Sequence, residues 1–189
     1  LNNRYFLNNH VLPLSRRYCF VHSYFFPLIF YCCTIMLTSP SSILVPLDFS
    51  RCAEYALQHA VSLARQYQST VYLLYALEPP PLLSAEAGYA FEQEIMSTTR
   101  EYAETMLKKH IEELTTSGIQ ASYHIATGVP HMAIISFAEE IHASMIVIST
   151  HGRRGIARLM MGSTTERVVR LAQCPVLSVH PPEELLVEP

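Results

Sequence analysis

Along residues 41–180, short apolar runs alternate with stretches in which apolar residues return every three or four positions. The first rhythm is that of buried strands and the second that of amphipathic helices. Residues 43–48, Ile-Leu-Val-Pro-Leu-Asp, predict a first strand. Pro46 has no N–H to give a ladder, so the chain is expected to leave the sheet close to it. Ser50 is placed to cap a helix whose apolar face is Ala53, Ala56, Leu57, Ala60, Val61 and Ala64. Residues 70–77 predict a second strand. Pro79, Pro80 and Pro81 then mark a loop. A long helix is expected from around Tyr89 to Thr116, its period kept by Ala103, Met106, Leu107, His110, Ile111 and Leu114, with Gly118 as its stop. Residues 119–126 predict a third strand, and their more polar alternation suits a sheet edge. Pro130 suits the first turn of a helix over residues 132–141. Residues 143–150 predict a fourth strand, residues 163–172 a fourth helix stopped before Pro175, and residues 175–180 a last strand. The Pro-rich acidic tail, residues 182–189, is expected to be loose.

Strand and helix in regular alternation argue an α/β sandwich around a parallel sheet, one domain over residues 41–181. Ligands of such sheets sit at the carboxyl ends of strands, where strand order reverses. Asp48, Thr127-Gly128 and the stretch from Ser149 to Gly152 all fall at such ends.

Residues 1–40 do not share this pattern. They are rich in aromatic residues and asparagine, and Arg16 and Arg17 precede an apolar stretch from Phe20 to Leu37 that His22, Ser23 and Pro27 interrupt. The expectation is a non-domain segment of upstream translated sequence, with the natural start at Met36. A signal peptide or membrane anchor is the alternative. A membrane enters the picture only through this segment. The net charge of −3 carries no nucleic-acid footprint. Cys19, Cys32, Cys33, Cys52 and Cys174 form no Cys-x-x-Cys pair and no zinc spacing, so a reduced, cytoplasmic protein is the simplest reading.

The chemistry concentrates after the fourth strand. Ser149-Thr150-His151-Gly152 opens a basic, glycine-punctuated loop with Arg153, Arg154, Gly155 and Arg158, closed by Gly162-Ser163-Thr164-Thr165. Ser163 with Glu166 three residues on has the spacing of a capping box, which makes Ser163 the expected N-cap. Unpaired N–H groups and the dipole make such a helix start a candidate anion site, and Gly152 and Gly162 let backbone approach a phosphate. A capping box also stabilises a helix with no ligand, so the stretch leaves both readings open. It is neither a Walker A loop nor Gly-x-Gly-x-x-Gly.

Taken together, Val45-Pro46-Leu47-Asp48-Phe49-Ser50, Gly128-Val129-Pro130, Ser149-Thr150-His151-Gly152, nine residues, Gly162-Ser163-Thr164, and Cys174-Pro175-Val176-Leu177-Ser178-Val179 resemble the universal stress protein family. The resemblance covers residues 43–180. It implies a Rossmann-like fold with a five-stranded parallel sheet in the order 3-2-1-4-5, and a homodimer paired through the last strand, Val176 to His180. It also implies ATP, with Mg as companion ion, bound at Gly-x-x-Gly, nine residues, Gly-Ser/Thr. Pro46, Leu47 and Asp48 would then lie along the adenosine, with Asp48 accepting from nucleoside hydroxyls. Ala76 would face the base, Ile148 and Ser149 would join the contacts, and Gly152, Gly162, Ser163, Thr164 and Thr165 would hold the phosphates. Ser149 stands where the motif has its first glycine, and a Cβ there costs something if positive φ or close ribose approach is needed.

His151 is expected to order the loop rather than act as a base, because no nucleophile or paired carboxylate accompanies it. His59, His110, His124, His131 and His142 have no ligand-pair spacing and read as packing or surface residues. The expected function is therefore regulatory or sensing nucleotide binding in a stress response, with no catalytic residue and no resident metal assigned. The alternatives are a dimeric interaction module that binds no nucleotide, and a slow ATPase.

Overall fold

The computed structural model describes residues 39–79, 88–152, 161–182 and 185. The expectations for residues 1–38, Met36 included, and for Arg153, Arg154, Gly155 and Arg158 lie outside the described residues. The elements in chain order are β1 (Ser42–Pro46), α1 (Arg51–Tyr67), β2 (Thr70–Leu77), α2 (Gly88–Thr116), β3 (Ala121–Thr127), α3 (Pro130–Glu140), β4 (Met145–Ser149), α4 (Ser163–Leu171) and β5 (Val176–Val179). The five strands form one sheet in the order β3-β2-β1-β4-β5, and every neighbouring pair is parallel. The polar alternation of β3 does mark an edge. No helix among the described residues is long and apolar enough to cross a membrane.

The period of two along each strand divides the interior between the two faces of the sheet. Ile43, Val45, Val71, Leu73, Tyr75 and Val147 pack under α1 and α2, against Ala53, Ala56, Ala60, Ala103 and Leu107. Leu44, Leu74, Ile146 and Ile148 face the other way, against Ile134, Phe137 and Ala138 of α3 and Val168 of α4. Alanine at the contact face of α1 lets that helix lie close on the sheet, and Ala56 and Ala60 are wholly buried. Full burial of each larger aliphatic side chain contributes roughly 1.5–3 kcal/mol.

Pro46 is the last residue of β1, as its missing donor requires. The Leu47 N–H still reaches Leu74 O at 2.8 Å, and the chain then turns away through Phe49 at φ 61°. Ser50 caps α1 by accepting from the Ala53 N–H at 3.2 Å. Gly118 ends α2 at φ 79°, a backbone that a Cβ would strain.

Two expectations change. The N-cap of α4 is Gly162, not Ser163, and it has no side-chain capping bond. The cause is local: the Gly162 N–H is held by Thr150 O at 2.8 Å, which keeps Gly162 outside the helix while its carbonyl accepts from the Glu166 N–H. The capping-box register is thereby shifted by one, and Glu166 instead pairs with Arg170 at 2.6 Å. The tail is also not loose at Leu185, where the carbonyl lies 3.7 Å from Cys52 Sγ on α1.

Candidate functional site

Strand order reverses between β1 and β4, so a crevice is expected above their carboxyl ends. Pro46 and Asp48 reach it from β1, Ala76 from the end of β2, and Ile148, Ser149 and Gly152 from β4. Strand alternation puts Pro46 and Ala76 on the same face as Leu44, Leu74 and Ile148, the face covered by α3 and α4. Leu47 points to the opposite face and is buried in the α1–α2 core, so the peptide carbonyl is what it can offer a ligand.

Asp48 and Gly152 come together although about a hundred residues separate them. A Cβ built on Gly152 would stand 2.7 Å from Asp48 Oδ2. The carboxylate is not free to swing aside, because its Oδ1 accepts from the Ser50 N–H at 3.0 Å and from the Ser50 hydroxyl at 2.6 Å. Ser50 thus serves two turns of chain at once, capping α1 and orienting Asp48.

The loop that follows β4 is closed at its base. The Gly162 N–H donates to Thr150 O, and the Thr165 hydroxyl donates to Ser149 O at 2.7 Å. A Cβ on Gly162 would lie 3.3 Å from that same Thr150 oxygen, a tight contact that a larger side chain would add to. The N-terminus of α4 is thereby set beside the end of β4, with Ser163 exposed, Thr164 half-buried and Thr165 buried. Its first N–H groups carry the partial positive charge that suits an anion.

Ser149 is buried, and its Oγ accepts from the His151 N–H at 3.2 Å. Its φ is not positive; among the described non-glycine residues only Phe49, Gln68 and His142 have that backbone. The serine therefore carries no backbone strain, and its hydroxyl serves the loop's own amide. His151 is buried too, with Nδ1 3.0 Å from Thr150 Oγ1.

Sequence reasoning missed three contributors. His180, just past β5, brings its Nδ1 to 3.1 Å from the same Thr150 hydroxyl. Arg100 of α2 donates from Nη2 to Thr127 Oγ1 at 3.2 Å, placing a cation at the carboxyl end of β3. His110 of α2 stacks at 6.4 Å on Phe49, the residue after Asp48, and Phe49 also stacks at 5.1 Å on Tyr75. The Glu54 carboxylate, 3.0 Å from His110 Nε2, holds that imidazole above its ordinary pKa, with burial acting against it. Each contact joins residues too distant in sequence for spacing to reveal. A cavity of about 380 Å³ lined by Ile135, Ala138, Glu139, His142, Ala143 and Cys174 lies at the other end of the sheet, before β4 and β5 begin, and takes no part in this site.

Residues 41–180 match the model of the universal stress protein family. The chain belongs to the universal stress protein family. It is 33% identical over 144 residues to universal stress protein MJ0531 of Methanocaldococcus jannaschii, covering 75% of this chain and 83% of that protein. It is 30% identical over 150 residues to universal stress protein MJ0577 of the same organism, covering 72% of this chain and 93% of that protein. Among solved structures, the universal stress protein UspA of Lactobacillus plantarum superposes with a TM-score of 0.68 at 26% identity, over 74% of this chain and 97% of that one. The sheet order 3-2-1-4-5 implied by the family resemblance is the order observed. In this universal stress protein, Gly162 sits where its amide closes the loop.

Proposed function

We propose that this universal stress protein binds ATP in the crevice between β1 and β4 and acts as a regulatory or sensing protein in a stress response. The observation that carries the reading is the approach of Gly152 to Asp48. A carboxylate fixed by Ser50 stands against a backbone with no side chain, which leaves one face for nucleoside hydroxyls and the other for phosphate. Asp48 accepts from the ribose, and Pro46, Ala76 and Ile148 form the apolar bed for the base. The amides of Gly152 and of residues 162–165 meet the phosphates, together with the exposed Ser163 hydroxyl. Thr165 contributes through its amide, since its hydroxyl proton is committed to Ser149. The residues suit the group: a Cβ at Gly152 would fill the cradle. A magnesium ion arriving with the nucleotide would be held by phosphate oxygens and water, its usual preference.

Universal stress proteins have been solved in complex with cAMP, at 23% identity to this chain, and, from Archaeoglobus fulgidus, with dAMP, at 24%. At that identity they share the fold with this chain and no more. The homodimer forms through β5, whose outer edge has no strand beside it among the described residues and whose Leu177 is exposed.

The test is calorimetry with ATP, coupled to analysis of nucleotide released when the purified protein is denatured. Micromolar binding, lost when Gly162→Val crowds the Thr150 carbonyl, is the expected result. No heat and no released nucleotide would leave a dimeric interaction module as the better reading.

A further inference from the structure

Thr150 is the point at which three separate stretches of chain meet. Its N–H donates to Val179 O at 2.9 Å, and its carbonyl accepts from the Gly162 N–H at 2.8 Å. Its hydroxyl stands 3.0 Å from His151 Nδ1 and 3.1 Å from His180 Nδ1. The two imidazole rings lie nearly edge to face, with centroids 5.4 Å apart. His180 itself is exposed, but its neighbours are not: Val179 is buried in the sheet and Pro181 is buried beyond it.

A hydroxyl brings one proton, so Thr150 can donate to at most one of the two nitrogens. At least one ring must therefore carry its own proton on Nδ1 while both contacts stand. We infer that His180 is a positioning residue for the phosphate loop, acting through the Thr150 hydroxyl to fix the tautomer and orientation of His151 beside Gly152. This rests on the nucleotide reading of the site, and it extends that site to the residue that follows β5. The end of the outermost strand and the mouth of the phosphate loop become one hydrogen-bonded unit.

Both rings meet Thr150 through Nδ1, which makes the proposal specific. Asparagine places its amide where Nδ1 lies and glutamine places its amide where Nε2 lies. His180→Asn should keep the contact and bind ATP within twofold of the unaltered protein. His180→Gln should lose it and bind about five- to tenfold more weakly, the size of one hydrogen bond. The two variants share the same backbone and similar polarity, so a general loss of fold would affect both alike. Nitrogen-15 spectra of the imidazoles, recorded on the full chain without nucleotide, give an independent reading. Thr150→Val should shift the Nδ1 resonances of both His151 and His180, and Thr150→Ser should restore them. If the unaltered protein binds ATP while His180→Gln binds equally well, or if Thr150→Val leaves the His151 resonances in place, the inference is overturned and the function stands. If the unaltered protein binds no nucleotide, the function itself is overturned, and this extension with it.

Discussion

A methyl group on Gly152 would sit 2.7 Å from Asp48 Oδ2, inside the distance that unbonded carbon and oxygen tolerate. Gly152 is not in the positive-φ region, so its need for glycine is one of space. Gly152→Ala should push the carboxylate off its two bonds to Ser50. The expected cost is about 1–2 kcal/mol in urea unfolding, the range for disturbing a charged hydrogen bond and a helix cap together. ATP affinity should fall about tenfold or more by calorimetry; an alanine variant that binds like the unaltered protein would remove Asp48 from the site. Much of this was legible at the residue scale. The spacing from Ser149 through Gly152 to Gly162-Ser163 marked the loop, and the carboxylate after the first strand marked its partner. The N-cap was not legible, because Gly162 is held outside the helix by Thr150, a residue on the far side of the loop. Nor was the role of Thr165, whose hydroxyl turns back on Ser149 once the loop closes.

At the scale of elements, α2 is tied to α1 by His110 and Glu54. His110 Nε2 is buried and stands 3.0 Å from the Glu54 carboxylate, the contact that does most to raise the imidazole's pKa. Glu113 stands 3.8 Å from Nδ1, while the nearby Lys109 acts in the opposite sense. The folded-state pKa is raised above the ordinary 6.5, so the stabilisation is fully present below that value and is lost as pH rises through the higher folded one. Denaturation midpoints should thus fall between about pH 5.5 and about pH 8.5 more in the unaltered protein than in His110→Gln. Parallel curves for the two proteins would show that the pair contributes nothing. The periodicity of α2 identified His110 as an inward position, but not its partner on another helix. The edge strand β5 supports a second expectation. Leu177 is 38% exposed on a strand with one neighbour, and Val169 and Leu171 on α4 are exposed close to that strand in sequence. If the proposed dimer forms through β5, Leu177→Lys should weaken it at least tenfold in sedimentation while changing monomer stability by no more than about 0.5 kcal/mol, as at other surface positions. The strand itself was legible from its apolar run, whereas its place at the outside of the sheet required the family resemblance, since order is set by crossovers that leave no local mark.

For the whole molecule, the proposed site is a seam between the two cores. Asp48 hangs from β1 beside Phe49, which packs with the α1–α2 core, whereas Thr165 and Gly162 belong to α4 on the other face. A nucleotide in the crevice would bridge the two halves, and the unfolded chain has neither Asp48 near Gly152 nor a closed loop to offer it. Binding to the folded state alone stabilises by mass action, about 2.7 kcal/mol when ATP is at 100 times its Kd. For a domain of this size that corresponds to a rise of roughly 5–10 °C in Tm. Inorganic triphosphate would meet the amides of Gly152 and α4 without the ribose contact to Asp48, and adenosine would meet Asp48 and the apolar bed without those amides, so each should raise Tm by a few degrees at most, even when supplied together. A shift with triphosphate as large as that with ATP would show that the helix N-terminus binds anions without selecting a nucleoside, and that Asp48 closes nothing. A large shift with ATP alone requires both halves to grip one ligand, which is the physical content of placing the site where β1 and β4 part.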